Sequence, residues 1–195
     1  MSWGFRKEIQ RKIIHLFMSL LIVLLIIFLS ENFSKQISLY FLVLLLVLLL
    51  IAEFWRLEIR GKIPFVCHLF RDREKDRLGG QIFFLIGGII AYAAFDYRIA
   101  LAAVLMTSFG DLASSLVGSS LGRIFIMKNR TLEGILAEFT VDLGIAYLLI
   151  GDWAIMLVMA LIATLVETLV NELDDNLMIP VFSGFVAQAV SDVLR

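Results

Sequence analysis

Apolar runs broken by short polar segments recur along the whole chain. They lie at about 13–30, 37–55, 80–95, 98–116, 131–150, 153–170 and 177–194. Each is near the roughly 20 residues that an α-helix needs to cross a bilayer's hydrocarbon core. The pattern predicts an all-α fold, a polytopic integral membrane bundle of about seven transmembrane helices in a single domain, 1–195. The third run is short, and Gly79, Gly80, Gly87 and Gly88 point to close helix packing there rather than lipid exposure. The last run begins raggedly, with Pro180 just after the polar cluster Asn171, Glu172, Asp174, Asp175 and Asn176.

One stretch breaks the apolar pattern from within. In TSFGDLASSLVGSSLGR (107–123), Thr107, Asp111, Ser114/Ser115, Gly118 and Gly122 recur at steps of three or four and share one helix face. An ionisable group at membrane depth is costly and marks a functional site by default. Such a face admits a ligand close to the backbone. It equally suits a small-residue seam between helices, with Asp111 in a buried ion pair.

Composition removes the soluble alternative. Hydrophobic residues make up 61% of the chain and the mean hydropathy is +0.94, against about 45–50% apolar usage in soluble domains. The net charge of −1, with the charges segregated between loops, gives no case for a nucleic-acid partner. Cys67 is the only cysteine, which excludes an intrachain disulfide and a cysteine-based metal cluster. Met1–Lys12 followed by an apolar run has the outline of a signal peptide, yet the first alanine is Ala52, so a retained first helix is expected.

The basic residues orient the bundle. Arg6, Lys7, Arg11, Lys12, Arg56, Arg60, Lys62, Arg71, Arg73, Lys75, Arg77, Arg123, Lys128 and Arg130 fall on one side of the seven-span arrangement, and only Lys35, Arg98 and Arg195 fall on the other. That bias puts the N-terminus in the cytoplasm. The segment 56–78, with alternating signs in RDREKDR, is expected to be a solvated helix at the headgroups.

On that topology the unusual polar residues converge on the cytoplasmic face. Arg11, Lys12 and His15 sit at the mouth of the first span, and Asp111 near the end of the fourth. Arg123, Lys128 and Arg130 lie in the following loop, and Glu133 opens the fifth span. Thr164, Glu167, Asn171 and Asp174 form a polar stripe that runs out of the sixth. Lysines and arginines take phosphate oxygens and carboxylates hold Mg²⁺, so the set matches a metal–nucleotide site. P-loop, kinase-type Gly-rich, HExxH and GxSxG patterns are absent from the sequence. Such a site would be built from helix ends and loops. Glu138 and Asp142, one turn apart, lie deeper and suit a proton path, a second metal site or a polar bundle contact.

Four blocks resemble the CTP-dependent lipid-alcohol kinases, a family that includes dolichol, phytol and fungal-type diacylglycerol kinases, and more distantly the phosphatidate cytidylyltransferases. They are RKIIH (11–15), GDLASSLVGSSLGR (110–123), NRTLEGILAEF (129–139) and DDNLMIPVFSG (174–184). They occur in the family's order. Arg130 stands where a lysine is usual, Ile135 where a serine is, and Met178 where a threonine is.

The resemblance implies phosphorylation of a long-chain lipid alcohol at the cytoplasmic face, with CTP as donor and Mg²⁺ as cofactor. Asp111, Asp174 and Asp175 are the expected metal ligands. Arg11, Lys12, Arg123, Lys128 and Arg130 are expected to hold phosphates, with Gly110, Ser114 and Gly118 lining the nucleotide and Glu133 and Asn176 in supporting positions. Asp111 or His15 is the expected base, beside Lys12. Membrane lipids are the surrounding partners. The compartment would be the cell membrane in a prokaryote or the endoplasmic reticulum in a eukaryote. Transfer of CTP to a lipid phosphate, giving a CDP-lipid, is the neighbouring chemistry. A proton-coupled carrier using Asp111, Glu138, Asp142 and Glu167 is a different class. A carrier should place ionisable groups through the midplane, whereas here only Glu138 and Asp142 go deep, which favours an interfacial enzyme.

Overall fold

The computed structural model describes residues 3–58, 78–127, 130–170 and 173–195, with side chains from Lys12 onward in the first helix. Seven helices appear among them. They are α1 (Trp3–Asn32), α2 (Lys35–Glu58), α3 (Gly80–Ala94), α4 (Tyr97–Leu121), α5 (Leu132–Leu149), α6 (Trp153–Leu169) and α7 (Asp175–Leu194). Each covers an expected apolar run to within a few residues, except that α1 continues back through the basic N-terminal segment. The expected solvated helix at 56–78 lies almost wholly outside the described residues.

Lys12–Asn32, Lys35–Glu58, Tyr97–Leu121 and Asp175–Leu194 are long and apolar enough to cross a membrane. Helices α3 and α6 are apolar but run only 15 and 17 residues, or about 22–26 Å at 1.5 Å per residue. Helix α5 has 18 residues and carries Glu133, Glu138 and Asp142. The molecule is an all-α bundle of membrane type.

Helix α4 is the axis. It contributes to both apolar cores: Ile22, Ile26, Leu42, Phe84 and Val104 join α1–α4, while Met106, Ala146, Met159, Ile179 and Ala187 join α4–α7. In its membrane-length window 61% of residues are buried, against 11% for α2, whose apolar surface faces outward.

Glycines set two close approaches. At Gly87 a Cβ would lie 2.7 Å from Pro180 Cγ and 2.8 Å from the Asn176 carbonyl oxygen. Pro180 has no N–H for that carbonyl, which is four residues earlier in α7, and α3 closes over this gap. At Gly134 a Cβ would lie 2.8 Å from the Ser114 carbonyl oxygen and 3.2 Å from Gly118 Cα. The α4–α5 seam is therefore built backbone to backbone.

A small hairpin joins α4 to α5. Strand β1 (Phe125–Met127) pairs antiparallel with β2 (Arg130–Thr131), in the register Phe125 opposite Thr131 and Met127 opposite Arg130. The helical periodicity of the chain gives no hint of it. Its effect is to turn Arg130 back onto the bundle.

Candidate active site

Lys12 of α1 meets helix α4, Arg130 before α5 reaches Glu167 near the end of α6, and the start of α3 meets the start of α7 at Gly80 and Asn176. Lys12 is buried, 7% exposed. Its Nζ lies 2.5 Å from Asp111 Oδ1, donates to the Asp111 carbonyl at 3.1 Å, and donates to Ser115 Oγ. Asp111 and Ser115 are one turn apart on α4, so one ammonium satisfies both. A buried lysine requires such partners, because an unpaired charge is costly away from water. His15, one turn after Lys12, meets Phe84 edge-on at 5.4 Å.

Arg130 is the second cation. Its Nη1 lies 2.5 Å from Glu167 Oε1 on α6 and donates to Ser114 Oγ at 3.5 Å. Burial works against the guanidinium charge, but Glu167, and beyond it Glu138 and Asp111, hold its pKa above the ordinary arginine value. The same balance shows that Asp111, Glu138 and Glu167 lie within electrostatic reach of Arg130.

Thr131 fixes where α5 begins. Its Oγ1 accepts from the Gly134 N–H at 3.3 Å, a side-chain N-cap. Glu133 Oε2 accepts from the Ile124 N–H at 3.4 Å and so ties the hairpin's base rather than the Lys12–Asp111 knot. Arg123 is exposed.

At the start of α7, Asp174 is the N-cap. Its Oδ1 accepts from the Asn176 N–H at 3.1 Å and from Asn176 Nδ2 at 2.7 Å, while Asp175 Oδ1 also meets the Asn176 N–H, at 3.0 Å. Asn176 thus holds the Asp174 carboxylate in place. Gly80 at the start of α3 leaves room for this turn, since a Cβ there would sit 3.0 Å from Asn176 Nδ2.

The small-residue face of α4 forms a helix seam, with Asp111 in an ion pair. The glycines of this face admit helix α5: Gly118 faces Thr131 and Gly134, and a Cβ at Gly110 would lie 2.7 Å from Asp142 Oδ1. Gly110 and Gly118 are packing positions in this structure. Ser114 stays close to the charged residues through Arg130.

Glu138, Asp142 and Glu167 are all buried, at 2%, 1% and 1% exposure. Glu138 Oε2, Asp142 Oδ1 and Glu167 Oε2 have no hydrogen-bond partner among the described residues. The pairing of Glu167 with Arg130 was not legible in the sequence. The only signal was its place on the stripe with Thr164, which does not name a partner 37 residues away on the hairpin between α4 and α5. Lys128, Asn171, Glu172 and the side chain of Arg11 lie outside the described residues. Among the described residues no three of His, Cys, Asp and Glu gather into a group that holds a metal by itself.

Comparison with known proteins bears on this arrangement. The chain is 29% identical to CTP-dependent diacylglycerol kinase 1 of Schizosaccharomyces pombe over 94% of its own length and 93% of that protein's. Over nearly its whole length the chain is similar to a CTP-dependent lipid kinase. A CTP-dependent diacylglycerol kinase 1 from Eremothecium gossypii is 35% identical over 75 residues, which cover 37% of this chain and 24% of that protein. No family model and no solved structure matches the chain. The first alignment covers nearly the whole bundle, so the kinship extends beyond any one of the four blocks.

Proposed function

We propose that this protein is a membrane lipid kinase that transfers the γ-phosphoryl group of CTP to the hydroxyl of a long-chain lipid alcohol at the cytoplasmic face. The observation that carries the reading is the meeting of Lys12 and Arg130 with Asp111 and Glu167 at one end of an apolar bundle. A hydroxyl at the head of an apolar tail is held at that same depth. The names of the two relatives favour diacylglycerol as the acceptor over a polyprenol, dolichol or phytol.

In this reaction the lipid oxygen bonds to the γ-phosphorus, the bond from that phosphorus to the β–γ bridging oxygen breaks, and CDP leaves. Positioning and charge neutralisation supply most of the catalysis. Lys12 and Arg130, with Arg11, Arg123 and Lys128, hold the phosphates. Asp111 or His15 receives the hydroxyl proton.

Asp111, Asp174 and Asp175 offer the hard oxygen donors that Mg²⁺ prefers. This ion commonly takes one or two carboxylates and completes its shell with phosphate oxygens and water. Bound Mg²⁺ would supply neutralisation of the triphosphate charge. The neutral Asn176 that braces Asp174 leaves that carboxylate's charge intact.

Label transfer tests the reading. Purified protein with Mg²⁺, a long-chain alcohol and CTP labelled at the γ or α position should place γ-label on the lipid. α-Label on a lipid phosphate with release of pyrophosphate would instead identify a cytidylyltransferase. Chelation with EDTA should abolish transfer, and its persistence would remove the three aspartates from metal binding.

The seven-span topology with a cytoplasmic N-terminus has its own test. On a Cys67→Ser background, cysteine at position 125 should label from the cytoplasm and cysteine at 153 from outside. Trp153 is exposed, and replacing it spares the Asp152 side chain, which caps α6 through the Ala154 and Ile155 N–H groups. Reversed labelling would take the phosphate-binding residues off the cytoplasmic face.

A further inference from the structure

Arginine on a two-residue strand has a long side chain and little backbone to restrain it. What restrains Arg130 is another helix. Glu167 Oε1 of α6 is ion-paired with its Nη1 at 2.5 Å, and the same nitrogen donates to Ser114 Oγ of α4 at 3.5 Å. The other guanidinium nitrogens, Nη2 and Nε, meet no partner among the described residues. Among the described residues the group is therefore anchored through Nη1 alone. A planar guanidinium held in this way can offer its remaining N–H donors to two oxygens of one phosphate.

Glu167 is suited to be the anchor because it cannot turn elsewhere. It is 1% exposed, its carboxylate is screened from water, and Arg130 is its ion-pair partner among the described residues. Asp111, the carboxylate paired with Lys12, lies within electrostatic reach of Arg130. The anchored arginine thus joins α6 to α4, through Glu167 and through Ser114, which lies one turn after Asp111.

We propose that Glu167 is a positioning residue that holds Arg130 where its remaining N–H donors can take the donor's phosphates. This rests on CTP being the phosphoryl donor. A carboxylate that merely neutralised a stray charge would influence folding; one that aims a phosphate ligand influences the nucleotide step specifically.

The test is a double-mutant cycle read in KM and kcat. Glu167→Gln should raise the KM for CTP by about tenfold and leave the KM for the lipid alcohol unchanged. Arg130→Gln should do the same or more. The double variant, Glu167→Gln with Arg130→Gln, should be no worse than Arg130→Gln alone, because an anchor has no effect once its arginine is gone. If Glu167→Gln does not fold, Glu167→Asp retains the charge, shortens the reach by one methylene, and should still raise the KM for CTP. Additive effects in the cycle, an unchanged KM for CTP, or a change confined to the lipid KM would overturn the proposal. Failure of the unmodified protein to transfer phosphate from CTP to any lipid alcohol would overturn the kinase reading itself, a separate outcome.

Discussion

Asp111→Asn should lower phosphoryl transfer by on the order of 10²-fold or more, the scale seen when one preorganised charge-stabilising group is lost. The substitution keeps shape and removes charge. It also leaves the Lys12 charge among neutral acceptors with no counter-charge, and removing one partner of a fully buried pair costs about 3–5 kcal/mol, an upper bound for this part-buried one. Activity and stability would then fall together, and the single variant does not say which is primary. Lys12→Met combined with Asp111→Asn separates them. Neutralising both members of a buried pair is commonly tolerated, so this double variant should recover the thermal stability lost in Asp111→Asn. Its label transfer should stay low, because both the phosphate-binding cation and the carboxylate are gone. Recovery of turnover with recovery of stability would mean that the pair is only a structural clasp.

Gly134→Val should prevent the bundle from closing. A Cβ at this position meets the Ser114 carbonyl oxygen at 2.8 Å and Gly118 Cα at 3.2 Å, both backbone atoms that no rotamer change can move. Overpacking typically costs about 1–3 kcal/mol, and a clash with backbone belongs at or beyond the top of that range. Gly144→Val is the control. It makes the same change in the same helix, but a Cβ at Gly144 has nothing within 4 Å. Thermal melting of both variants in one detergent isolates the seam from helix propensity. A Gly134→Val protein as stable as Gly144→Val would show that α4 and α5 are not locked there. The seam matters for chemistry because it carries Ser114 and Asp111 on one helix toward Thr131 and Arg130 at the start of the next.

The sequence by itself determined the helical architecture. Apolar runs of near-membrane length predict their own helices because backbone hydrogen bonding in an α-helix is satisfied within the segment. Hence α2, α4, α6 and α7 begin and end within a few residues of the expected limits. Spacing of three and four put Asp111 and Ser115 on one face, and the structure satisfies both with a single lysine. The glycines of the third run likewise signalled a close approach, realised where Gly87 meets Pro180.

Partners between helices were beyond that reach. Lys12 and Asp111 are 99 residues apart, and nothing in a helical period says which cation a buried carboxylate will meet. The same holds for Arg130 and Glu167, whose meeting depends on a short hairpin that interrupts the helical pattern and on how α6 packs. The face of α4 also had two permissible uses in sequence. Tertiary structure decided that Gly118 admits Gly134, because only the packed bundle shows which atoms occupy the space a missing side chain leaves. Local hydrogen bonding and periodicity are encoded residue by residue; the pairing of distant charges depends on the three-dimensional packing that brings them out of water together.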